Sequence, residues 1–114
     1  MNTSRPTSPQ QRALALERAN HVRLARATLK RRLRAGEVVA AEAILRRSHD
    51  TDTMTVAELL LSQRGWGPRR SAKMLRSVSL SERKTLGSLT ERQRVILAAV
   101  LGSREKKERT IRTR

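Results

Sequence analysis

Apolar positions along this chain recur at helical spacing, and no stretch alternates in the way a half-buried strand requires. Ser8-Pro9-Gln10-Gln11 supplies an N-cap serine, a proline at the first helical position and a glutamine at the third. From there to Arg34, Ala, Leu and Arg dominate, all good helix formers. Leu14, Val22, Leu24, Ala25, Leu29 and Leu33 make an apolar stripe. Arg12, Arg18, Arg23, Arg26, Lys30, Arg31, Arg32 and Arg34 cover most of the remainder, and Gly36 is the expected terminator. A second, shorter helix is expected over residues 37–47, anchored by Val38, Val39, Ile44 and Leu45, with a polar loop at residues 49–52.

Thr55-Val56-Ala57-Glu58 has the spacing of a capping box and opens a third helix that should end near Arg64. Pro68 suits the first position of a fourth, running to about Val78. A turn over residues 79–84 leads to a short helical piece ended by Gly87. Thr90-Glu91-Arg92-Gln93 opens a last helix, expected to end at Leu101 with Gly102 beyond it. Residues 1–7 read as disordered and residues 103–114 as an unfolded basic arm. The expectation is therefore one all-α domain over residues 8–102, without internal repeats.

Charge changes the picture from a small helical domain to one with a polyanionic partner. Twenty-six Lys and Arg face ten Asp and Glu, for a formal net charge of +16. Residues 1–36 carry nine basic groups against one acid, and residues 63–114 fifteen against four. The segment between them is mildly acidic, with two against five. Such an excess draws a chain to nucleic acid through counterion release. With one Trp and no Phe or Tyr, the chain lacks the stacking platforms used to hold single strands, which favours duplex DNA held by its backbone.

The sharpest local signal is Arg64-Gly65-Trp66-Gly67-Pro68-Arg69-Arg70, a glycine-bracketed turn between two apolar helical stretches. Glycine lets another molecule's backbone come close. The helix that follows aims unpaired N–H groups and the positive end of its dipole at that molecule, and Arg69, Arg70 and Lys73 reinforce the charge. A phosphate is the natural occupant. The competing reading is an ordinary tight turn, and Trp66 is expected to face the local core rather than the DNA.

Other chemistries find little support. The chain has no cysteine, so it offers neither a disulfide nor a thiol nucleophile. His21 and His49 lack metal-site spacing and read as incidental exposed histidines, and the carboxylates form no convincing acid–base pair. No enzyme, metal or cofactor is expected. No apolar run approaches a membrane span and no secretory signal is evident, so the chain reads as cytoplasmic. A basic amphipathic first helix could lie on a membrane surface, but it lacks the bulky aromatics such helices use.

Several segments together resemble the actinobacterial, or mycobacterial-type, integration host factor family. The first is Gln10-Gln11-Arg12-Ala13-Leu14-Ala15-Leu16-Glu17-Arg18-Ala19, followed by Arg23-Leu24-Ala25-Arg26-Ala27-Thr28-Leu29-Lys30. Met54, Val56, Leu59, Leu60, Gly67, Leu89 and Glu91-Arg92-Gln93-Arg94 continue the likeness, which spans roughly residues 8–102. The resemblance implies a long N-terminal helix packed on a small helical domain with a helix–two-turns–helix motif. It also implies a nucleoid-associated protein that binds duplex DNA with little sequence preference, bends or compacts it, and assists a phage integrase. The expected form is a monomer in solution, with one or two protomers engaging a duplex. Where the family has a cluster of arginines, this chain reads Arg83-Lys84-Thr85-Leu86-Gly87, which points to a divergent or phage-encoded member.

The candidate DNA contacts fall in three groups. At the turn they are Arg64, Gly65, Trp66, Gly67, Pro68, Arg69, Arg70 and Lys73. Further on they are Arg83, Lys84, Arg92 and Arg94, and on the first helix Arg23, Arg26, Lys30 and Arg31. The alternative function is an RNA-binding or ribosome-associated protein using the same motif. A glycosylase fragment is disfavoured because no nucleophile is evident.

Overall fold

The computed structural model describes residues 8–112, with side chains through residue 103, and it is all-helical. The N-terminal segment expected to be disordered, residues 1–7, lies outside the described residues. Helix α1 (Pro9–Ala35) opens as the sequence dictates: the Ser8 hydroxyl accepts the Gln11 N–H at 3.1 Å, and Pro9 holds the first position. It stops at Gly36, whose φ of 77° is the left-handed conformation that ends helices and favours glycine. The apolar stripe expected along α1 does not all reach the core. Leu14 and Leu24 are 65% and 68% exposed, and only Leu33 is fully buried, with Leu29 packed at the edge. The N-terminal half of α1 therefore reaches beyond the apolar centre.

Helix α2 (Ala40–Arg46) starts three residues later than the sequence suggests. Val39, extended at φ −104°, is its N-cap residue and has no hydroxyl to offer. The cap comes instead from Gln63, whose Oε1 accepts the Ala40 N–H at 2.8 Å from 23 residues away. A single 3-10 turn, His49–Thr51, occupies the expected polar loop. Helix α3 (Val56–Ser62) begins at Thr55, whose hydroxyl accepts the Glu58 N–H at 3.0 Å. Helix α4 (Pro68–Ser77) follows, then a 3-10 turn at Leu86–Ser88 and helix α5 (Glu91–Arg112).

Two expectations for the C-terminal part give way. Gly87 lies inside the second 3-10 turn rather than ending it. A Cβ there would stand 2.8 Å from Asp52 Cβ, so glycine serves close approach: the Gly87 N–H donates to the Asp52 carbonyl at 2.9 Å. Helix α5 opens with a reciprocal box in which Thr90 and Gln93 exchange bonds of 3.0 and 3.1 Å. It does not stop at Leu101 but continues through Gly102 to Arg112. A glycine in right-handed conformation only weakens a helix, by about 1 kcal/mol, and the Lys, Arg and Glu beyond are good helix formers.

The core gathers Leu33 of α1, Ile44 of α2, Met54, Val56, Leu59 and Leu60 around α3, Leu75 of α4, and Leu97 and Leu101 of α5, all essentially sealed from solvent. A one-residue antiparallel bridge between Thr55 and Thr85 stitches the start of α3 to the loop before α5. There the Val56 N–H donates to the Lys84 carbonyl at 2.8 Å and the Leu86 N–H to the Met54 carbonyl at 2.9 Å. Among the described residues no helix is long and apolar enough to cross a membrane.

Candidate nucleic-acid interface

Two successive turns join α3 to α4. The Gln63 N–H donates to the Leu60 carbonyl at 3.0 Å, and the Trp66 N–H to the Gln63 carbonyl at 3.1 Å. Gly65 sits third in the second turn with φ 81°, the left-handed value a type II turn requires there. Gly67 is different. Its backbone is extended (φ −110°, ψ 176°), it is the N-cap residue of α4, and a Cβ built on it would meet nothing within 4 Å. Conformation therefore does not demand glycine at residue 67. What glycine leaves there is open space in front of a helix N-terminus.

Gly67 offers that N-terminus no side-chain cap, and none is seen among the described residues, whereas α1, α2, α3 and α5 are capped by Ser8, Gln63, Thr55 and Thr90. Pro68 and Arg69 are exposed on its first turn, and Lys73 lies exposed one turn on. Trp66 is buried at 7% exposure, in line with the core-facing expectation, and the Arg70 guanidinium lies over its ring, 4.2 Å from the centroid. This stacking holds a cation against an apolar surface at the helix start. Arg64 is exposed beside the end of α1: its N–H donates to the Leu33 carbonyl at 3.2 Å, and its side chain passes over Gly36. The carboxyl end of the α1 dipole favours a cation in that place.

The structure does not bring all the candidate cations to one surface. Arg94 is a correction: only 3% exposed, it donates Nη1 to the Ile44 carbonyl at 3.0 Å and Nη2 to the Leu86 carbonyl at 2.7 Å. Its guanidinium ties α2, the second 3-10 turn and α5 together and is not presented to a ligand. Its place in the basic Glu91-Arg92-Gln93-Arg94 run hid this, because helical phase puts Arg94 with Leu97, Ala98 and Leu101 on the buried face while Arg92 stays exposed.

Arg26 and Lys30 are engaged with Glu58 of α3, at 2.7 and 3.5 Å to the same carboxylate oxygen. Burial alone would raise the Glu58 pKa, but the hydrogen bond and charge of Arg26, with Lys30 beside it, outweigh this and hold the carboxyl below its ordinary value. Glu58 was legible in the sequence only as a capping residue; nothing local marks a partner 32 residues away. Arg23 and Arg31, on the same helix, are exposed, as is Arg83. Lys84 is half-buried, and its carbonyl holds the start of α3. Of these candidates, the glycine turn lies at the C-terminal end of α3, and Arg26, Lys30 and Lys84 lie at its N-terminal end. The seven residues of α3 span about 10 Å at 1.5 Å each.

Neither histidine is idle. His21 Nε2 stands 3.0 Å from Asp50 Oδ2, linking α1 to the first 3-10 turn, and His49 Nδ1 lies 3.6 Å from Asp52. The described residues contain no cluster of three or more groups suited to a metal ion.

This is the geometry of an all-helical domain built around two turns and an uncapped helix start. A solved structure of sIHF bound to an 8-base-pair palindromic DNA has the same fold. It matches with a TM-score of 0.66 at 26% identity, covering 75% of this chain and 98% of that one. The chain therefore has the fold of an integration host factor of the sIHF kind. No protein-family model and no curated protein matches it.

Proposed function

We propose that this chain is a non-enzymatic, architectural DNA-binding protein of the nucleoid, gripping duplex DNA by its backbone with little sequence preference. The observation that carries the reading is the uncapped N-terminus of α4 behind Gly67, flanked by Arg64, Arg69 and Lys73, on the fold of a protein solved on DNA. A phosphate at that point would meet backbone N–H groups, the helix dipole and lysine and arginine charge together. Trp66, the sole aromatic residue, is buried, so bases of a single strand find no exposed ring to stack on, and a duplex is the better ligand.

Among the exposed cations of α1, Arg23 and Arg31 supply a further set of phosphate contacts. Two contact regions on one small domain suit it to bend or compact DNA, as a monomer or as two protomers on one duplex, and to assist site-specific integration by a phage integrase. A cytoplasmic, nucleoid location follows from that role. Gel-shift titrations on random duplexes at several salt concentrations test the reading. Binding should weaken steeply with salt and vary little with sequence. It would be overturned by specificity above about a thousandfold for one site, or by preference for structured RNA over duplex DNA of equal length.

A further inference from the structure

The carboxylate of Glu58 holds two of the basic residues of α1. Its Oε2 receives Arg26 Nη2 at 2.7 Å and is 3.5 Å from Lys30 Nζ, so two cations one helical turn apart on α1 converge on one oxygen. All three side chains are about one-third exposed (31%, 30% and 32%). The group is neither sealed in the core nor freely solvated, and an approaching polyanion can reach it. While Glu58 is in place, the three groups present one positive charge rather than two.

We propose that Glu58 competes with DNA phosphates for Arg26 and Lys30, and so sets how strongly the first helix engages a duplex. The inference rests on the DNA-binding reading above. In a capping box, the acidic side chain at this position turns back to the backbone of its own helix. Here it is turned across to α1 instead, while the other half of the box, the Thr55 hydroxyl holding the Glu58 N–H at 3.0 Å, is intact. The start of α3 is thus secured without the carboxylate. Near the N-terminal end of α3 the helix dipole also favours the negative charge of Glu58, so the carboxylate keeps the two cations against a competing phosphate. Arg23 and Arg31, exposed on the same helix, bind whether or not Glu58 is present.

The test is the salt dependence of binding to a random duplex, followed by fluorescence anisotropy, for the full chain and for Glu58→Gln. Glu17→Gln, which makes the same charge change on α1 itself, reports the general effect of one carboxylate fewer. Releasing one or both cations should steepen the slope of log affinity against log salt by about 0.9 to 1.8 beyond that control. A Glu58→Gln variant that matches Glu17→Gln, or that is folded and binds more weakly than the parent, overturns the proposal. The weaker-binding outcome would mean that Glu58 positions the two cations instead of withholding them.

If Glu58→Gln does not fold, Arg26→Gln with Lys30→Gln in the parent chain decides. Cations already withheld leave the slope unchanged when removed, whereas a slope shallower by about 1.8 overturns the proposal. A parent chain that fails to bind duplex at low salt removes the DNA-binding reading itself, and this inference with it.

Discussion

Replacing Gly67 by serine should separate the stability of α4 from its capacity to hold a phosphate. The backbone at Gly67 (φ −110°, ψ 176°) resembles that of Ser8 (φ −142°, ψ 154°) and Thr55 (φ −77°, ψ 153°), whose hydroxyls cap their own helices. A serine Cβ meets nothing within 4 Å, and its hydroxyl is placed to accept an N–H three residues on, as Ser8 does from Gln11. Exchanging an N-cap glycine for serine is worth only a few tenths of a kcal/mol in favour of the helix. The melting temperature should hold or rise slightly.

Affinity for DNA should fall, because the new hydroxyl and Cβ occupy the space in front of the helix start and engage one of its N–H groups. A hydrogen bond to a charged group contributes about 1.5–3 kcal/mol. Losing one therefore weakens binding roughly 10- to 100-fold, with the salt slope reduced by about 0.9 if the phosphate contact goes entirely. Valine at the same position is the contrast. It lacks a capping oxygen and costs about 1 kcal/mol, or roughly 4–8 °C of melting temperature for a domain near 100 residues, and affinity falls with it. Circular dichroism melts alongside anisotropy titrations read both quantities. A serine variant that is as stable as the parent and binds DNA equally well would falsify the assignment of this turn as a contact.

Arg94→Met should cost about 2–4 kcal/mol in urea denaturation, since it takes the guanidinium from the Ile44 carbonyl and leaves the Leu86 carbonyl only the 3.4 Å bond from the Leu89 N–H. The salt slope of the folded fraction should not change; a stable variant with impaired DNA binding would put Arg94 back at the interface. Gly87→Ala forces a Cβ to 2.8 Å from Asp52 Cβ, and about 1–3 kcal/mol of stability should be lost as the two loops part. Equal melting temperatures for Gly87→Ala and the parent would refute that. Glu58 has its pKa lowered from the ordinary 4.5, so its pairing with Arg26 and Lys30 stabilises the fold above that value. The contribution disappears as pH falls through the lower, folded-state pKa. Parent and Glu58→Gln should therefore differ in stability near neutrality and converge in acid titrations well below pH 4.5, and curves that stay parallel would count against the ion pair.

What the sequence made legible were features whose cause is local. The Ser8, Thr55 and Thr90 caps and the left-handed Gly36 are written within four residues of themselves, and the helices begin or end there as expected. Features determined by distant segments were not readable. The start of α2 depends on Gln63, and Gly87 is required by Asp52. Periodicity shows that Leu14 and Leu24 share α1 with Leu33, but not that the core covers only one end of that helix. The candidate site divides in the same way. The two turns and the α4 start were visible as a string of residues. The separation of the basic residues into exposed, paired and buried ones depends on partners 8 to 50 positions away.

That separation bears on how so basic a chain stays folded. A formal charge of +16 on 114 residues sets up self-repulsion that opposes a compact state. Arg94 gives its charge to backbone carbonyls in the core, Arg70 lies over Trp66, and Arg26 and Lys30 share Glu58. These contacts put four cations to structural use, and none depends on DNA. Of the candidate contacts, Arg64, Arg69 and Lys73 around the glycine turn, Arg23 and Arg31 along α1, and Arg83 and Arg92 are exposed, and on the proposed reading these are the ones left for a polyanion. Arg26 and Lys30, held by Glu58 of the mildly acidic segment, add to the apolar packing of α1 a polar link to α3 that needs no DNA.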